Sequence, residues 1–505
     1  MKYLFRIRAM ARCCSPFFYN NDYTDFEKRL HRFKKLVLIC AICFYNLCNQ
    51  ASSFGSDAKE LYLKHCSPCH HPERYGTSAP PLFKETIGNK SDKELIAAIS
   101  KGLPATNMQA FENILKADEI EGIIAYIKKP IEKPKWDKED ILSSLIRCQT
   151  SDPGSKAQIK VDLSNLFMIV EGGTGNVHFM DGDTFNLLDK IKVGAMHGGP
   201  KYDYNFNFSY ILSRDGWLVK YDLKNLKEIS RLRVGINSRN IAISGDGKYL
   251  AITNLMPQNI VFINTSNMEP SFIVDANDRV GAIYTLKEKG LFVAAMRDKP
   301  EIWLVDYKNS FEIKKLFSDQ AFSDFFIEPA ERYLIGAARN SGHLTVFDIY
   351  ENKVVKSLEI KGMPHLASAA FWKDGDKVFA GFPNLEKPIL TVIELYTWEI
   401  KSVVDLKGNG FFARTHSGTP YLWVDTGTDT IQLINKKTLK MEKEIVPEKG
   451  KQAMHTEFTK DGRFALVSIR DKDGAVIVYD EKLNAVKRLP FEKPIGKYNA
   501  TNKTH

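Results

Sequence analysis

The chain has 505 residues, of which 44% are hydrophobic and 26% are charged, and its formal net charge is +10. This length exceeds that of one average domain, and the composition is that of a globular protein. The first 51 residues hold nine Lys/Arg and three Asp/Glu, so the rest of the chain is only mildly basic. We find no basic patch of the kind that binds nucleic acid, so we expect no nucleic-acid partner.

The cysteine distribution argues against a disulfide framework. Five of the eight cysteines precede residue 52, two lie together in a short motif, and Cys148 stands alone. We interpret Cys148 as a structural, unpaired residue.

Residues 1–51 are predicted to be an export signal with an N-terminal extension. A positive run at 28–35 precedes an apolar stretch of 13 residues at 36–48, which is short for a membrane span. We therefore predict an exported, periplasmic protein that is cleaved near Ala51 or Ser52. An uncleaved membrane anchor and lipidation at Cys48 are the alternatives.

The motif Cys66-Ser67-Pro68-Cys69-His70 is typical of covalent haem c attachment. The thiols of Cys66 and Cys69 can form thioethers to the haem, and His70 then offers its imidazole to the iron. Met108 follows a Gly/Pro-rich loop and suits the second axial position, because a soft thioether raises the potential. A disulfide or redox CxxC motif, and a core methionine, are the alternatives.

Residues 57–130 are predicted to form an all-α, class I-type cytochrome c domain. Three helices are expected, at 58–66, 92–101 and 117–127. The second begins with a capping box at 91–94, and the third has apolar residues at helical spacing before Pro130 ends it. Residues 131–156 are predicted to be a linker, because Pro and charged residues make its start a semi-rigid spacer. One helix over 137–147 is expected within it.

The second domain, residues 157–505, is predicted to be an all-β, eight-bladed propeller. Strand-rich stretches recur every 40 to 45 residues, a spacing typical of four-stranded blades. They begin near Phe167, Ser209, Tyr249, Leu291, Tyr333, Val378, Tyr421 and Phe464. We expect residues 157–163 to pair with the last blade and so close the ring.

Four histidines of this domain are predicted to lie in connecting segments between strands. The connections of a propeller gather at its two faces, so several imidazoles near one mouth would suit an iron ligand with acid/base groups. The four residues are His197, His365, His416 and His455. A surface or hydrogen-bonded role is the alternative for each.

A small cytochrome c domain followed by an eight-bladed propeller resembles the cytochrome cd1 family. This family includes the cd1 nitrite reductases and two relatives from haem d1 assembly. The segments that resemble it are 213–216, 234–239, 362–365, 414–416 with 421–426, and 494–499. The resemblance implies that the propeller binds haem d1 or its dihydro precursor non-covalently, with His197 as the proximal iron ligand.

The resemblance also assigns the distal side of the haem d1 site. His365 matches one of two histidines that donate protons to nitrite in the reductases. The other would fall at 322–325, where this sequence has Asp324 and no histidine. Haem d1 carries carboxylates, so Arg214, Arg239 and Arg414 are candidates to pair with them, with surface salt bridges as the alternative.

Three functions follow from this resemblance. The favoured one is a dihydro-haem d1 dehydrogenase, in which His365, His416 or His455 takes a proton and electrons leave through the c-haem. A nitrite reductase, running electrons in the opposite direction, is the alternative, and a non-catalytic haem d1 carrier or electron-transfer protein is the third. Small soluble electron-transfer proteins and haem d1 assembly proteins are the expected partners. The reductases are homodimers, which leaves a homodimer open.

Overall fold

The computed structural model describes residues 58–88, 90–103, 108–148, 159–339 and 341–503. The predicted export signal, the loop at 104–107 and most of the second half of the linker lie outside these residues. No helix among the described residues is long and apolar enough to cross a membrane.

Six α-helices are described, five of them before residue 128. They are α1 (58–65), α2 (Ser67–His70), α3 (Lys84–Ile87), α4 (Asp92–Lys101), α5 (Ala117–Ile127) and α6 (Lys138–Ser143). The capping box at the start of α4 is present: Glu94 donates its backbone N–H to Ser91 Oγ, and Ser91 N–H donates to Glu94 Oε2 at 2.8 Å. The predicted bounds of α4 and α5 are therefore confirmed, and α1 ends one residue earlier than predicted.

A buried arginine ties the loop after the haem motif to the end of α5. Arg74 Nη1 donates to the backbone oxygens of Tyr126, Ile127 and Lys129 at 2.9–3.0 Å. The last carbonyls of a helix have no partner within it, so this guanidinium caps them. The loop that carries the haem motif is thereby fixed on the last helix of the domain.

The remainder of the described chain is a ring of eight antiparallel sheets. Blades one to four contain β2 (Leu166–Glu171), β3 (Asn176–Asp181), β4 (Leu187–Lys192); β5 (Lys201–Tyr202), β6 (Phe208–Leu212), β7 (Trp217–Asp222), β8 (Lys227–Arg233); β9 (Asn237–Ile243), β10 (Tyr249–Met256), β11 (Asn259–Asn264), β12 (Glu269–Asp275); and β13 (Val280–Leu286), β14 (Leu291–Met296), β15 (Glu301–Asp306), β16 (Glu312–Phe317). β1 (Ile146–Arg147) precedes them in the chain.

Blades five to eight repeat the same order. They contain β17 (Asp324–Ile327), β18 (Tyr333–Ala337), β19 (His343–Asp348), β20 (Lys353–Glu359); β21 (Ala370–Asp374), β22 (Lys377–Pro383), β23 (Ile389–Glu394), β24 (Glu399–Asp405); β25 (Ala413–Arg414), β26 (Tyr421–Asp425), β27 (Ile431–Asn435), β28 (Met441–Ile445); and β29 (Ala453–Phe458), β30 (Ala465–Ile469), β31 (Ala475–Tyr479), β32 (Ala485–Pro490). The predicted repeat starts coincide with the second strand of each blade, because these strands are the most continuously buried. The eight-bladed propeller is confirmed.

The ring is closed by the end of the chain and not by the segment before the first blade. Strand β33 (Pro494–Asn499) pairs with β2 and is the innermost strand of blade one. The expectation that residues 157–163 close the ring is therefore wrong. Because β33 is hydrogen-bonded to β2 along its length, the inner edge of blade one is covered.

The segment predicted to be a spacer packs on the propeller. Its helix, α6, is shorter than the predicted 137–147, and it buries Ile141 against blade two. β1 then pairs with β8 as a fifth strand of that blade. Trp136 Nε1–H donates to Arg233 O at 2.9 Å. Within the described part of the linker, residues 136–147 are thus held on blade two by burial, a hydrogen bond and strand pairing.

Candidate functional site

The haem-attachment motif forms one tight turn. His70 donates its backbone N–H to Cys66 O at 2.9 Å, which brings the ends of the motif together. Cys66 is half-buried and Cys69 is exposed, and the two sulfurs are not joined. Burial raises the pKa of Cys66 to about 11, so it is a neutral thiol. The structure therefore contains two free thiols, as thioether attachment requires, and not the alternative disulfide.

His70 has the orientation of an iron ligand. It is buried, and its Nδ1 lies 2.7 Å from Pro80 O. A carbonyl oxygen can only accept, so Nδ1 carries the proton and Nε2 is left for the metal. Burial lowers the pKa of His70, which favours the neutral imidazole that binds iron. The residues present therefore fit a covalent haem c.

Met108 lies half-buried in the loop between α4 and α5. Its carbonyl oxygen accepts the N–H of Leu103 at 3.0 Å, which folds the loop back on itself. Residues 104–107 lie outside the described structure, and the role of Met108 as sixth ligand stays a prediction.

The candidate residues of the propeller divide between its two ends. In an antiparallel blade, the connections alternate from end to end. His197 and His365 precede the first strands of blades two and six, so they lie at one end, which we call the mouth. His416 lies in the hairpin between β25 and β26, at the opposite end, with its Nε2 at 3.2 Å from Lys460 O. The structure therefore does not bring His416 to the predicted shared site.

His197 is held in the same way as the c-haem ligand. Its Nδ1 lies 3.2 Å from Arg239 O and 3.1 Å from Asn240 Oδ1. Both partners are oxygens that accept a hydrogen bond, so Nδ1 carries the proton and Nε2 is left to bind iron. Burial and the neighbouring cations of Arg214 and Arg239 lower the pKa of His197 well below its usual value. The ring is therefore neutral, as a metal ligand must be.

Three arginines of the mouth are half-buried and have little neutralising charge beside them. Burial lowers the pKa of Arg214 and Arg239 to about 10 and that of Arg297 to about 9. Arg239 Nε donates to Gly281 O at 3.2 Å, whereas the buried Nη1 of Arg214 has no hydrogen-bond partner within the described chain. Half-buried cations of this kind call for an anionic ligand. The site therefore fits a tetrapyrrole that carries carboxylates.

An arc of rings runs around the mouth from His365 to the loop of His197. Phe412 contacts His365 at 5.7 Å between ring centroids and His455 at 4.7 Å. The next member, Tyr498, contacts His455 at 5.1 Å. A Cβ added at Gly199 would lie 2.7 Å from the ring of Tyr498, so this loop packs directly on it. The structure thus places His365 and His455 on one arc of rings, and the far end of this arc contacts the loop that carries His197.

His455 is strained and lies inside a strand, where the sequence interpretation placed it in a connecting segment. Its φ is +51°, and the pairing of β29 with β30 is interrupted between Met454 and Glu457. A bulge of this type turns a side chain away from the normal alternation, and such strain is concentrated at functional sites. The periodicity of the sequence contains no sign of the bulge.

Two buried charges hold the backbone of His455. Asp425 accepts its N–H at 3.3 Å and also those of Phe411 and Phe412, while Lys497 Nζ donates to its carbonyl oxygen. Burial raises the pKa of Asp425 to about 7 and lowers that of Lys497 to about 7. This pair fixes the unusual conformation of His455 from both sides of the residue.

The predicted distal position at Asp324 lies beside His365. Asp324 Oδ2 accepts the N–H of Ala367, two residues after His365, at 3.1 Å. Arg414 lies on the first strand of blade seven, where its Nη1 donates to Ala413 O at 3.1 Å. Its positive charge acts to lower the pKa values of Lys497 and Tyr498. Its pairing with a carboxylate of the ligand stays a prediction.

Sequence reasoning missed Tyr498, Phe412, Lys497, Asp425 and Arg297 as parts of this site. Aromatic and charged residues of a propeller are mostly core or surface residues, so none of the five is conspicuous alone. The segments 421–426 and 494–499, already noted for their resemblance, contained Asp425, Lys497 and Tyr498. Reading the individual side chains of these segments would have identified three of the five.

Comparison with known proteins finds a family match in each of the two domains. The cytochrome D1 heme domain family matches residues 161–503, and the cbb3-type cytochrome c oxidase subunit III family matches residues 55–127. The first match covers more than half of the chain. The protein therefore belongs to the cytochrome d1 haem-domain family and joins its propeller to a cytochrome c-type domain.

Individual proteins within and beside this family are also similar to the chain. The dihydro-haem d1 dehydrogenase of Pseudomonas aeruginosa is 38% identical over 470 residues, which cover 90% of this chain and 95% of that protein. The protein NirF of the same organism is 24% identical and covers 66% of this chain and 90% of its own length. A solved structure of the dihydro-haem d1 dehydrogenase NirN in complex with DHE matches with 36% identity and a TM-score of 0.76. That match covers 89% of this chain and all of the other.

Proposed function

We propose that this protein is a periplasmic dihydro-haem d1 dehydrogenase, which forms the last side-chain double bond of haem d1 and passes the electrons to its c-haem. The observation that carries this function is the 38% identity to the P. aeruginosa dehydrogenase over nearly the full length of both chains. The arc of His365, Phe412, His455 and Tyr498 supplies a chemically suited site at the mouth.

Converting a C–C single bond to a double bond removes two protons and two electrons from the substrate. The c-haem, when bound, supplies a centre that accepts one electron at a time. The protein must therefore accept two protons near the substrate and must pass the electrons on singly. Each electron is then taken from the c-haem by a one-electron acceptor protein of the periplasm.

His365 and His455 are the proton acceptors in this proposal. The Nδ1 of His365 faces the carbonyl oxygen of Phe411, so a neutral ring has its lone pair on Nε2. His455 lies on the other side of Phe412, held by Asp425 and Lys497. Two imidazoles flanking one ring match the two protons that the reaction releases.

Tyr498 and the arginines orient the substrate. Burial raises the pKa of Tyr498 to about 12, so its hydroxyl keeps its proton and can donate a hydrogen bond. Arg214 and Arg239 provide positive charge beside His197, where the tetrapyrrole iron would be held. Both groups would fix the substrate carboxylates without taking part in proton removal.

The site argues against the nitrite reductase alternative. Reducing nitrite to nitric oxide and water consumes two protons, and a carboxylate stands where the second distal histidine is expected. Asp324 would repel an incoming anion such as nitrite. Oxidation of dihydro-haem d1 releases protons, so it needs no proton donor at the position of Asp324.

Separate additions of two pigments to the purified protein test this function. The protein is first made in a host that attaches c-haem but makes no haem d1. Dihydro-haem d1 is added to one sample, and haem d1 followed by nitrite to another, and the extracted pigments are separated by chromatography. We expect conversion of the precursor and no nitric oxide; nitric oxide formation without conversion would establish the reductase instead.

A further inference from the structure

One asparagine of the propeller contacts the loop that carries the c-haem ligand. Asn237, the first residue of β9, is fully buried. Its Nδ2 donates to Ala79 O at 3.2 Å and to Thr77 O at 3.4 Å. A Cβ added at Gly76, whose φ is +81°, would lie 2.8 Å from this Nδ2, so the loop can approach only because Gly76 has no side chain.

Both ends of this contact lead directly to an iron ligand. On the cytochrome side, Ala79 is bonded to Pro80, whose carbonyl oxygen receives His70 Nδ1 at 2.7 Å. On the propeller side, Asn237 is followed by Ser238 and Arg239, and Arg239 O receives His197 Nδ1 at 3.2 Å. Three hydrogen bonds and short stretches of backbone therefore join the imidazole of His70 to that of His197.

We propose that Asn237 couples the two haem sites, by completing the bonded path along which electrons pass from the substrate held at His197 to the haem held at His70. This inference rests on the proposed function. Electron tunnelling decays more slowly through covalent and hydrogen bonds than across a van der Waals gap. Asn237 is thus a positioning residue that sets the rate of electron transfer without touching the reacting atoms.

The electron balance sets what this path must do. Each substrate molecule loses two protons, to His365 and His455, and two electrons. A c-haem held by Cys66, Cys69 and His70 would accept one electron at a time, so the path would be used twice per turnover. A one-electron acceptor protein restores the ferric c-haem between the two transfers.

Other contacts between the two parts of the chain lead to the ligands by a longer route or by packing alone. Arg279 Nη1 donates to Thr86 O at 2.9 Å and is paired with Asp298. Thr86 Oγ1 reaches Pro81 O and Arg239 Nε reaches Gly281 O, so this route needs five hydrogen bonds where the route through Asn237 needs three. Phe83 packs with Ile236 and Met256. Arg279 therefore offers a control that weakens docking and leaves the shorter route intact.

The test compares Asn237→Leu and Asn237→Val with Arg279→Gln, all in the full-length c-haem protein. Both Asn237 variants carry an apolar side chain of similar size, which has no group to donate to Ala79 O. Ferric protein is mixed with dihydro-haem d1, and the appearance of ferrous c-haem is followed by visible absorption. The c-haem midpoint potential and tryptic cleavage between residues 128 and 137 are measured without any tetrapyrrole.

We expect c-haem reduction to slow about tenfold or more in both Asn237 variants, because a hydrogen bond gives way to a van der Waals gap of about 3.5–4.0 Å. Arg279→Gln is expected to stay within about twofold of wild type, since it removes the docking hydrogen bond to Thr86 O but leaves the shorter route through Asn237 intact. In the tetrapyrrole-free Asn237 variants, the midpoint potential and the cleavage pattern should match wild type. An unchanged rate in both Asn237 variants, an equal loss in Arg279→Gln, or cleavage that rises along with the loss of rate would overturn the proposal.

A second measurement separates this proposal from the proposed function. If wild-type protein does not reduce its c-haem with dihydro-haem d1, the dehydrogenase function fails. The path is then judged with haem d1 in the propeller, by flash reduction of the c-haem and the rate of electron equilibration. Slower equilibration in both Asn237 variants supports the path; equal rates, or no binding of haem d1 at all, overturn it.

Discussion

His455 is distinguished by three features taken together. It has a left-handed backbone, it interrupts the pairing of its own strand, and two buried charges hold it. Keeping a non-glycine residue in this conformation costs on the order of 1–3 kcal/mol. The surrounding contacts of Asp425 and Lys497 must offset that cost, which is why we assign His455 to the reaction and not to the fold.

Replacing His365 or His455 by glutamine is expected to slow substrate conversion by roughly 10²–10⁴-fold, the usual contribution of a positioned proton acceptor. Binding of the tetrapyrrole should change little. The rate is measured by pigment extraction, and binding by the visible spectrum. His416→Gln, at the opposite end of the propeller, is the matched control and should convert substrate like wild type. A loss in His416→Gln equal to that of the other two would refute the assignment.

The buried Asp425 predicts a dependence of stability on pH. Its pKa rises from 3.8 to about 7 on folding, so the folded protein holds one more proton between these values. The free energy of unfolding therefore falls as the pH rises from about 4 to about 7.

Asp425→Asn should remove this dependence, since the amide does not titrate. The measurement is the midpoint of urea unfolding at several pH values from 4.5 to 6, wild type against variant. Burial lowers the pKa of Lys497 to about 7, so this group stays largely protonated in both states below pH 6 and contributes little slope in this window. A wild-type slope that survives in the variant would show that another group is responsible.

At the scale of elements, the ring depends on its last strand. β33 covers the inner edge of β2, and it also carries Lys497 and Tyr498 to the mouth. A chain ending before Pro494 would expose that edge and should aggregate. We expect loss of soluble protein on gel filtration, whereas a chain ending at Lys503 should elute like wild type. Equal elution of both truncations would contradict the closure that we describe.

The spacing of apolar residues predicted the helices and strands that bury one regular apolar face. It missed the strands whose pairing depends on residues far away in the sequence. The second strands of all eight blades and the helices α4 and α5 are evident from the sequence, because each is an uninterrupted apolar pattern. β33 is not evident, since its residues Pro494 to Asn499 contain little apolar alternation and it pairs with a strand more than 300 residues away. The same holds for β1, which is only two residues long.

The site was predictable where chemistry is local and unpredictable where it depends on blade geometry. Cys66, Cys69 and His70 form a contiguous motif, so their proximity follows from the chain itself. Which end of a blade a histidine occupies depends on strand order, and His416 was misplaced for that reason. The bulge at His455 has no sequence signal, because it follows from contacts with Asp425 and Lys497.

At the scale of the whole molecule, two domains of separate families are joined through short hydrogen-bonded contacts. The linker segment packs on blade two through Ile141 and Trp136, and Arg279 and Asn237 contact the loops of the cytochrome c domain. We therefore expect electrons to pass between the domains without a large movement of either part. The substrate site at the mouth and the exit at the c-haem belong to one continuous structure.

The stoichiometry of c-haem reduction in a single turnover tests whether the electrons removed from dihydro-haem d1 reach the c-haem. Ferric protein in excess is mixed with dihydro-haem d1 without oxygen, and both the ferrous c-haem and the haem d1 formed are quantified. Loss of two electrons per substrate predicts two ferrous c-haems for each haem d1. Haem d1 formed without ferrous c-haem, or ferrous c-haem without any haem d1, would contradict the account.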